Sequence, residues 1–243
     1  MLLVCDHASR RIPRILGDLG VDSGVRRCHL AWDIGAGALT RKLAESHGAT
    51  TVLQEYSRLV VDCNRQLLDS GAFLEFGDGV VISGNRNLKR AQKQARADAI
   101  YWPYHRAVTQ EISRLTTHNQ KPALYAVHSF TPVMNGESRP WQIGILWGED
   151  DRIAVPMIQI LRDMGYHVGD NEPYSGKAPQ DFTIDHHAES AGLPCVGIEI
   201  RQDLIDDEAG VDEIAQALHV TFEKVQAQLF PTDISTRRPV HPA

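Results

Sequence analysis

Leu2-Leu3-Val4-Cys5-Asp6-His7-Ala8-Ser9, residues 2–9, joins an unbroken apolar run to an acid and a histidine. A short continuous apolar run of this kind is typical of a strand buried on both faces, as in a parallel sheet. Ligands of such sheets bind beyond the carboxyl ends of the strands. The stretch therefore predicts an α/β fold with chemically active side chains at one edge of its sheet.

Strand and helix patterns alternate along the rest of the chain. Further apolar runs predict strands at residues 51–53, 59–63, 123–127, 143–147 and 195–200, and apolar residues at helical spacing predict helices at 36–47, 87–117, 153–164 and 211–229. Pro103 is expected to end or kink the second helix. The alternation predicts a three-layer α/β/α sandwich with a mainly parallel central sheet. We expect one domain over residues 1–243, a covering loop at 172–181 and a loose tail at 231–243.

Composition excludes several classes of protein. The 243 residues include 25 Lys+Arg and 31 Asp+Glu, a net charge of −6, with 42% hydrophobic residues, as in a globular protein. This acidic balance argues against a nucleic-acid partner, because that binding depends on Lys and Arg that neutralise phosphates. The sequence shows neither a secretory signal nor a run of about 18 apolar residues, so we expect a cytoplasmic protein without a membrane partner. Four scattered cysteines predict no disulfide framework.

Two other predicted strands carry polar residues where apolar ones are expected. His128 follows the run 123–127, and Glu199 interrupts the run 195–200. A buried carboxylate is costly, so Glu199 needs a cation, a metal or a proton beside it. Two imidazoles, His7 and His128, and one carboxylate at separate strand ends suit a catalytic zinc with one open position. Taken singly, each histidine fits a hydrogen-bonded structural residue better than a metal ligand.

Arginine flanks the predicted strand at 59–63 on both sides. Arg58 precedes it, and Asn64 and Arg65 follow it. The planar guanidinium donates two parallel hydrogen bonds to a carboxylate, so these residues are candidates for gripping a carboxylate ligand. The alternative is an arginine that is salt-bridged to Asp62 or Asp33.

Six segments, in this order, give the chain a resemblance to the N-formylglutamate amidohydrolase family over residues 2–205. They are Cys5-Asp6-His7-Ala8-Ser9 with Ile12-Pro13, Asp33-Ile34-Gly35-Ala36, Ser57-Arg58 through Asp62-Cys63-Asn64-Arg65, His128-Ser129-Phe130-Thr131-Pro132, Gly169-Asp170-Asn171-Glu172-Pro173-Tyr174-Ser175-Gly176 and Glu199-Ile200-Arg201-Gln202-Asp203-Leu204. That family is similar to the zinc carboxypeptidase-type hydrolases. The resemblance therefore implies their α/β/α core and one catalytic Zn²⁺ per chain, with other divalent metals as possible substitutes.

The resemblance also implies a ligand set. His7 and His128 are the expected histidine ligands. In the carboxypeptidases a glutamate ligand follows the first histidine by three residues, but Arg10 stands at that position here. Asp33 is our choice for the third metal ligand and Asp6 the second choice. The alternative is that such a carboxylate only orients a ligand histidine.

The remaining roles follow from the same family. Glu199 matches the late-strand glutamate that serves as general base. Asn64 and Arg65 match the pair that grips a substrate carboxylate. Further substrate-binding candidates are Arg58, Tyr174, His187 and Arg201.

The resemblance implies metal-dependent hydrolysis of N-formylglutamate, or of a similar N-acyl amino acid, to formate and the amino acid. The expected partner is thus a small anionic N-acyl amino acid. One alternative is a zinc hydrolase for another N-acyl amino acid or a small peptide. The other is a metal-free module that binds carboxylates through Asn64 and Arg65.

Overall fold

A computed structural model describes residues 1–117, 122–177 and 181–229. Its strands are β1 (Leu2–Cys5), β2 (Thr50–Leu53), β3 (Phe76–Gly77), β4 (Val80–Val81), β5 (Leu124–Phe130), β6 (Val133–Met134), β7 (Glu137–Ser138), β8 (Ile143–Leu146), β9 (Val168–Asp170) and β10 (Cys195–Arg201). Its α-helices are α1 (Ala36–His47), α2 (Arg90–Arg96), α3 (Trp102–Thr116), α4 (Ala154–Asp163), α5 (Phe182–His187) and α6 (Glu208–Leu229).

Six of these strands form the central sheet, in the order β2-β1-β5-β10-β8-β9. All neighbouring pairs are parallel except β8 and β10, which are antiparallel. Four adjacent strands, β2, β1, β5 and β10, therefore point their carboxyl ends to the same edge. Two short hairpins, β3–β4 and β6–β7, lie outside the sheet.

Helices and loops cover both faces of this sheet. Along β1, Leu3 and Cys5 belong to a core with α1, α4 and α6, whereas Leu2 and Val4 belong to a second core with α3 and the irregular chain between β2 and α2. Because successive side chains of a strand point to opposite faces, both cores need apolar residues from the same strand. The predicted α/β class, with a mainly parallel sheet flanked by helices, is confirmed.

The strand predicted at residues 59–63 is wrong. The segment is fully buried but lies in turns and irregular chain. Its backbone is bound by side chains instead of a neighbouring strand: Asn85 Nδ2 donates to the Leu59 carbonyl and Arg96 Nη1 to the Val60 carbonyl. An apolar run indicates that a segment is buried, but not that it is a strand. Here buried polar side chains donate to two carbonyls that a neighbouring strand would otherwise bind.

The helix predicted at residues 87–117 is interrupted rather than ended. Between α2 and α3 the chain makes a π-helical turn, Ala97–Tyr101, directly before Pro103. The Trp102 N–H bonds to the Ala97 carbonyl, five residues earlier. Proline has no N–H to continue the α-helical pattern, and the wider turn accommodates that loss.

Other predicted boundaries are close to the observed ones. Six short elements were not predicted, namely β3, β4, β6, β7, β9 and α5. The loop predicted at 172–181 contains neither helix nor strand where the structure describes it, and residues 178–180 and the tail predicted at 231–243 lie outside the described residues. No helix within the described ranges combines the length and the apolar character needed to cross a membrane.

Two leucines test the assignment of the core. Leu39 of α1 is fully buried, whereas Leu68 is fully exposed. We expect Leu39→Ala to lower the free energy of unfolding by about 2–5 kcal/mol, because the truncation leaves a cavity. The control Leu68→Ala should change it by less than about 0.5 kcal/mol. Urea denaturation measures both values, and equal effects would contradict the core described above.

Candidate functional site

The sheet topology brings the predicted site residues to one edge. His7 follows β1, and His128 lies in the neighbouring β5. Glu199 of β10 is the direct register partner of His128, so their side chains stand on the same face of the sheet. Asp33 reaches them from the loop before α1, where its N–H donates to the His7 carbonyl at 3.0 Å.

One carboxylate oxygen joins the two histidines. Asp33 Oδ2 lies 3.2 Å from His7 Nδ1 and 2.9 Å from His128 Nδ1. Within the described ranges these three buried residues are the group of ligand-type side chains able to hold a metal ion. Tetrahedral zinc with bonds of about 2.1 Å separates its ligand atoms by about 3.4 Å, close to the two observed distances. The donor types and the spacing both fit a metal.

The other ring nitrogen of each histidine faces a different carboxylate. His7 Nε2 lies 2.8 Å from Asp62 Oδ1, and His128 Nε2 lies 3.5 Å from Asp6 Oδ2. A carboxylate at the far nitrogen fixes the orientation of a metal-binding imidazole. Asp6, our second choice for the third metal ligand, therefore stands on the far side of His128 from Asp33.

The cluster concentrates negative charge in a buried place. Although burial opposes ionisation, His7 and His128 hold the pKa of Asp33 below its ordinary value, and Arg58 and His7 do the same for Asp62. Burial lowers the histidine pKa values, but Asp33 together with Asp62 raises the pKa of His7, and Asp33 with Asp6 raises that of His128. The carboxylates thus demand positive charge on the imidazole side, which protons or a metal ion can supply.

Glu199 has a different environment. It is 7% exposed, and its Oε2 has no hydrogen-bond partner among the described residues. Burial, with Asp33 and Asp181 nearby, raises its pKa to about 7, against the opposing effect of His128. On the neighbouring strand its register partner is Gly144, where a side chain would collide with the Glu172 carbonyl. A buried carboxyl with an unused oxygen and a pKa near neutrality is suited to accept and return a proton.

A cavity of about 150 Å³ opens above these groups. Of the predicted substrate-binding residues, it is lined by Arg58, Asn64, Arg65 and Tyr174. Arg58 also pairs with Asp62 at 2.8 Å and with Asp33 at 3.5 Å. The salt bridges expected as the alternative role of this arginine are therefore present. An outer cavity of about 290 Å³ shares Arg58, Arg65 and Tyr174 as walls.

Two predicted substrate-binding residues are not brought to the cavity. His187 packs behind it, with Nε2 2.9 Å from Nδ1 of His105 in α3. Arg201 Nε donates to Asp203 at 2.8 Å, away from the cavity lining. Their segments match the family pattern, but the side chains point to structural partners.

Sequence reasoning missed three contributors. Asp181, which also caps α5, and Ser129 line the cavity, and Asp62 orients His7. Asp62 was considered only as an arginine partner, although an acid next to Asn64-Arg65 was a usable signal. Nothing in the pattern around Asp181 singled it out, because its place depends on how α5 packs.

The mainly parallel sheet between helices, with a buried histidine–carboxylate cavity at its carboxyl edge, defines an α/β/α protein with a site of the kind that enzymes use. The chain belongs to the N-formylglutamate amidohydrolase family, whose sequence profile matches residues 1–206.

Solved structures agree with this assignment. A gene product from Agrobacterium tumefaciens is 39% identical, with a TM-score of 0.91 over 94% of this chain and 90% of that one. An N-formylglutamate amidohydrolase from Ralstonia eutropha JMP134 shares the fold at 19% identity, with a TM-score of 0.70 over 93% of this chain and 92% of that one. No match was found among curated proteins.

The raised pKa of Glu199 has a consequence for stability in metal-free protein. A carboxyl whose folded pKa of about 7 exceeds its ordinary 4.5 stabilises the fold only when protonated. That contribution is complete below pH 4.5 and is lost as the pH rises through 7. Relative to Glu199→Gln, the wild type should therefore lose roughly 2–3 kcal/mol between pH 4.5 and pH 8.

Urea denaturation with EDTA at several pH values measures this difference. Glu45→Gln, at an exposed position of α1, is the control for loss of one carboxylate. A stability gap that does not vary with pH would contradict the described environment of Glu199.

Proposed function

We propose that the protein is a metal-dependent amidohydrolase that cleaves N-formylglutamate, or a similar N-acyl amino acid, to formate and the amino acid. The observation that carries this proposal is the shared Asp33 carboxylate between His7 and His128, beside Glu199, whose Oε2 has no hydrogen-bond partner in the part of the chain that the structure describes. Membership of the amidohydrolase family supplies the reaction class.

His7, Asp33 and His128 would hold the metal, for which Zn²⁺ is our choice and other divalent ions are possible. Nitrogen and carboxylate donors are those that catalytic zinc uses, with a further position left for water or substrate. A bound zinc ion lowers the pKa of a coordinated water and polarises a carbonyl oxygen. Asp62 and Asp6 keep the two imidazoles oriented for this task.

Glu199 is the proposed general base. Its free oxygen takes a proton from the attacking water as the water oxygen bonds to the formyl carbon. When the carbon–nitrogen bond breaks, Glu199 returns that proton to the departing amine. One carboxyl can perform both transfers because it gives back the same proton that it has accepted.

Asn64 and Arg65 are the proposed grip on the substrate carboxylate. Both line the inner cavity, and the Asn64 side chain is fixed because its Oδ1 accepts the Thr183 N–H at 3.0 Å. Arg58 adds positive charge to the same wall, and Tyr174 closes it from the loop, where its hydroxyl accepts a hydrogen bond from Arg139 at 2.9 Å. Holding the carboxylate fixes the scissile amide over the histidines.

The inner cavity favours a small acyl group. Its volume of about 150 Å³ suits a formyl group better than a peptide, and the outer cavity of about 290 Å³ offers room for the amino-acid side chain. The second candidate, a hydrolase for another N-acyl amino acid, is favoured only by this outer room. Comparing N-formyl with N-acetyl substrates and glutamate with other side chains distinguishes the two.

The cytoplasmic location and the absence of a nucleic-acid partner stay predictions.

Metal content and turnover test the proposed site together. The wild type should contain about one zinc per chain, and His7→Ala with His128→Ala should lose it. Glu199→Gln should keep the metal but lower kcat by about 10²–10⁴-fold, because it removes proton transfer alone. Elemental analysis and release of formate measure these outcomes. Full metal occupancy in the double variant refutes the metal site, and unchanged turnover in Glu199→Gln refutes the base.

The carboxylate grip is tested by Arg65→Gln. Loss of a charged hydrogen bond to the substrate should lower kcat/KM roughly 10- to 100-fold, mainly through KM, with metal content unchanged. Arg106→Gln, at an exposed position of α3, is the matched control. Equal kinetics in both variants would place the substrate carboxylate elsewhere.

A further inference from the structure

A second cavity, of about 550 Å³, lies near the amino end of the chain and is lined by arginine. We call it the arginine pocket; its polar residues are Ser9, Arg10, Arg11, Ser23, Arg26 and Arg27, and it contains no acidic residue. Four guanidinium groups around one cavity are notable in a chain whose net charge is −6. None of these four arginines lines the inner cavity of the proposed active site, which we call the catalytic cavity below.

Three of the four arginines form no salt bridge with a carboxylate. Within the described residues, Arg10, Arg26 and Arg27 make no ion pair, whereas surface arginines elsewhere, such as Arg152 and Arg201, do. The fourth, Arg11, lies 3.8 Å from Glu55, whose other oxygen is bound by Arg41 at 3.0 Å. The pKa of Asp22 is lowered by the N–H groups of Val25 and Gly24 and also by Arg27 and Arg26, so this carboxylate lies near the pocket without a salt bridge to it. Asp22 and Glu55 therefore neutralise the positive charge only in part.

Neutral groups hold these side chains in place. The Arg10 guanidinium lies 5.7 Å from the centre of the Trp32 ring, and that of Arg11 lies 4.7 Å from the centre of the Tyr56 ring. Arg27 Nη2 donates to the Ser23 hydroxyl at 3.3 Å. Contacts of this kind orient a guanidinium without cancelling its charge, which leaves the charge available to a ligand.

We propose that the arginine pocket binds a diphosphate or triphosphate group, either free or carried by a nucleoside. The planar guanidinium matches the paired oxygens of a phosphate, and several such groups around a concave site suit a ligand with several negative charges. A single carboxylate would leave most of the pocket uncompensated. The pocket volume of about 550 Å³ admits a nucleotide as well as the free anion.

The pocket has a direct structural connection to the catalytic cavity. Trp32, on which Arg10 lies, donates its indole N–H to the Arg27 carbonyl at 3.3 Å and is followed by Asp33. Arg10, three residues after His7, lines this pocket. Ligand binding between Arg10 and Arg27 therefore changes the surroundings of Trp32, which makes tryptophan fluorescence a suitable signal.

Binding is tested with pyrophosphate, tripolyphosphate and ATP as probes, at about 0.15 M salt so that weak surface attraction is screened. Calorimetry gives the affinity, and the part of the fluorescence change that is lost in Trp32→Phe reports on Trp32, one of four tryptophans in the chain. The wild type should bind saturably at one site, and Arg10→Gln with Arg27→Gln should weaken binding at least about tenfold. Arg106→Gln should bind like the wild type. Tighter binding of ATP than of tripolyphosphate identifies a nucleotide site, and the reverse order identifies a site for the free anion.

The variants separate this pocket from the catalytic cavity. The double variant keeps all residues of that cavity, so binding there persists in it, and equal affinity in wild type and double variant overturns the proposal. Absence of saturable binding in the wild type also overturns it. If a single-stranded oligonucleotide binds more tightly than every small probe, the pocket is a nucleic-acid site and the proposal of a small-molecule ligand is overturned. If the double variant does not fold, Arg26→Gln alone provides the same comparison.

Discussion

The buried contact of Asp33 with His7 and His128 is the constraint on which the candidate site depends. One carboxylate oxygen reaches His7 Nδ1 and His128 Nδ1, and so connects the ends of two strands with the loop that precedes α1. The loop can turn there because Gly35 has a φ of 78°, and a side chain at this position would collide with the Ile205 carbonyl. Backbone conformation outside the sheet therefore decides whether the two histidines share a partner.

This arrangement explains which parts of the structure the sequence could predict. The mainly parallel sheet and the helices α1, α4 and α6 could be predicted from the pattern of apolar residues. A strand buried on both faces is apolar throughout, and a helix buried on one side carries an apolar stripe. The segment 59–63 could not be predicted in this way. Its apolar residues correctly indicate burial, but two of its carbonyls are bound by the side chains of Asn85 and Arg96, which lie more than twenty residues further along the chain.

Some residues of the candidate site could be predicted from the sequence, and others could not. His7, His128 and Glu199 are recognisable because polar residues at the ends of apolar strands need an explanation. Asp62 and Asp181 acquire their places only through tertiary packing, and His187 fits a family segment while its ring contacts His105. A matched motif places a backbone reliably, but the direction of a side chain depends on its neighbours.

The charges of the inner cavity also bear on the proposed reaction. Asp33, Asp181 and Glu199 line the cavity, and Asp6 and Asp62 lie directly behind the histidines, so carboxylates outnumber the cationic side chains Arg58 and Arg65. An anionic substrate would enter this set only where protons or a cation neutralise part of its charge. A metal ion at His7, Asp33 and His128 would replace the protons that those carboxylates otherwise hold on the imidazoles. On the proposed function, the negative charge that keeps the imidazoles protonated is therefore the charge that would hold the metal, and metal binding would release those protons.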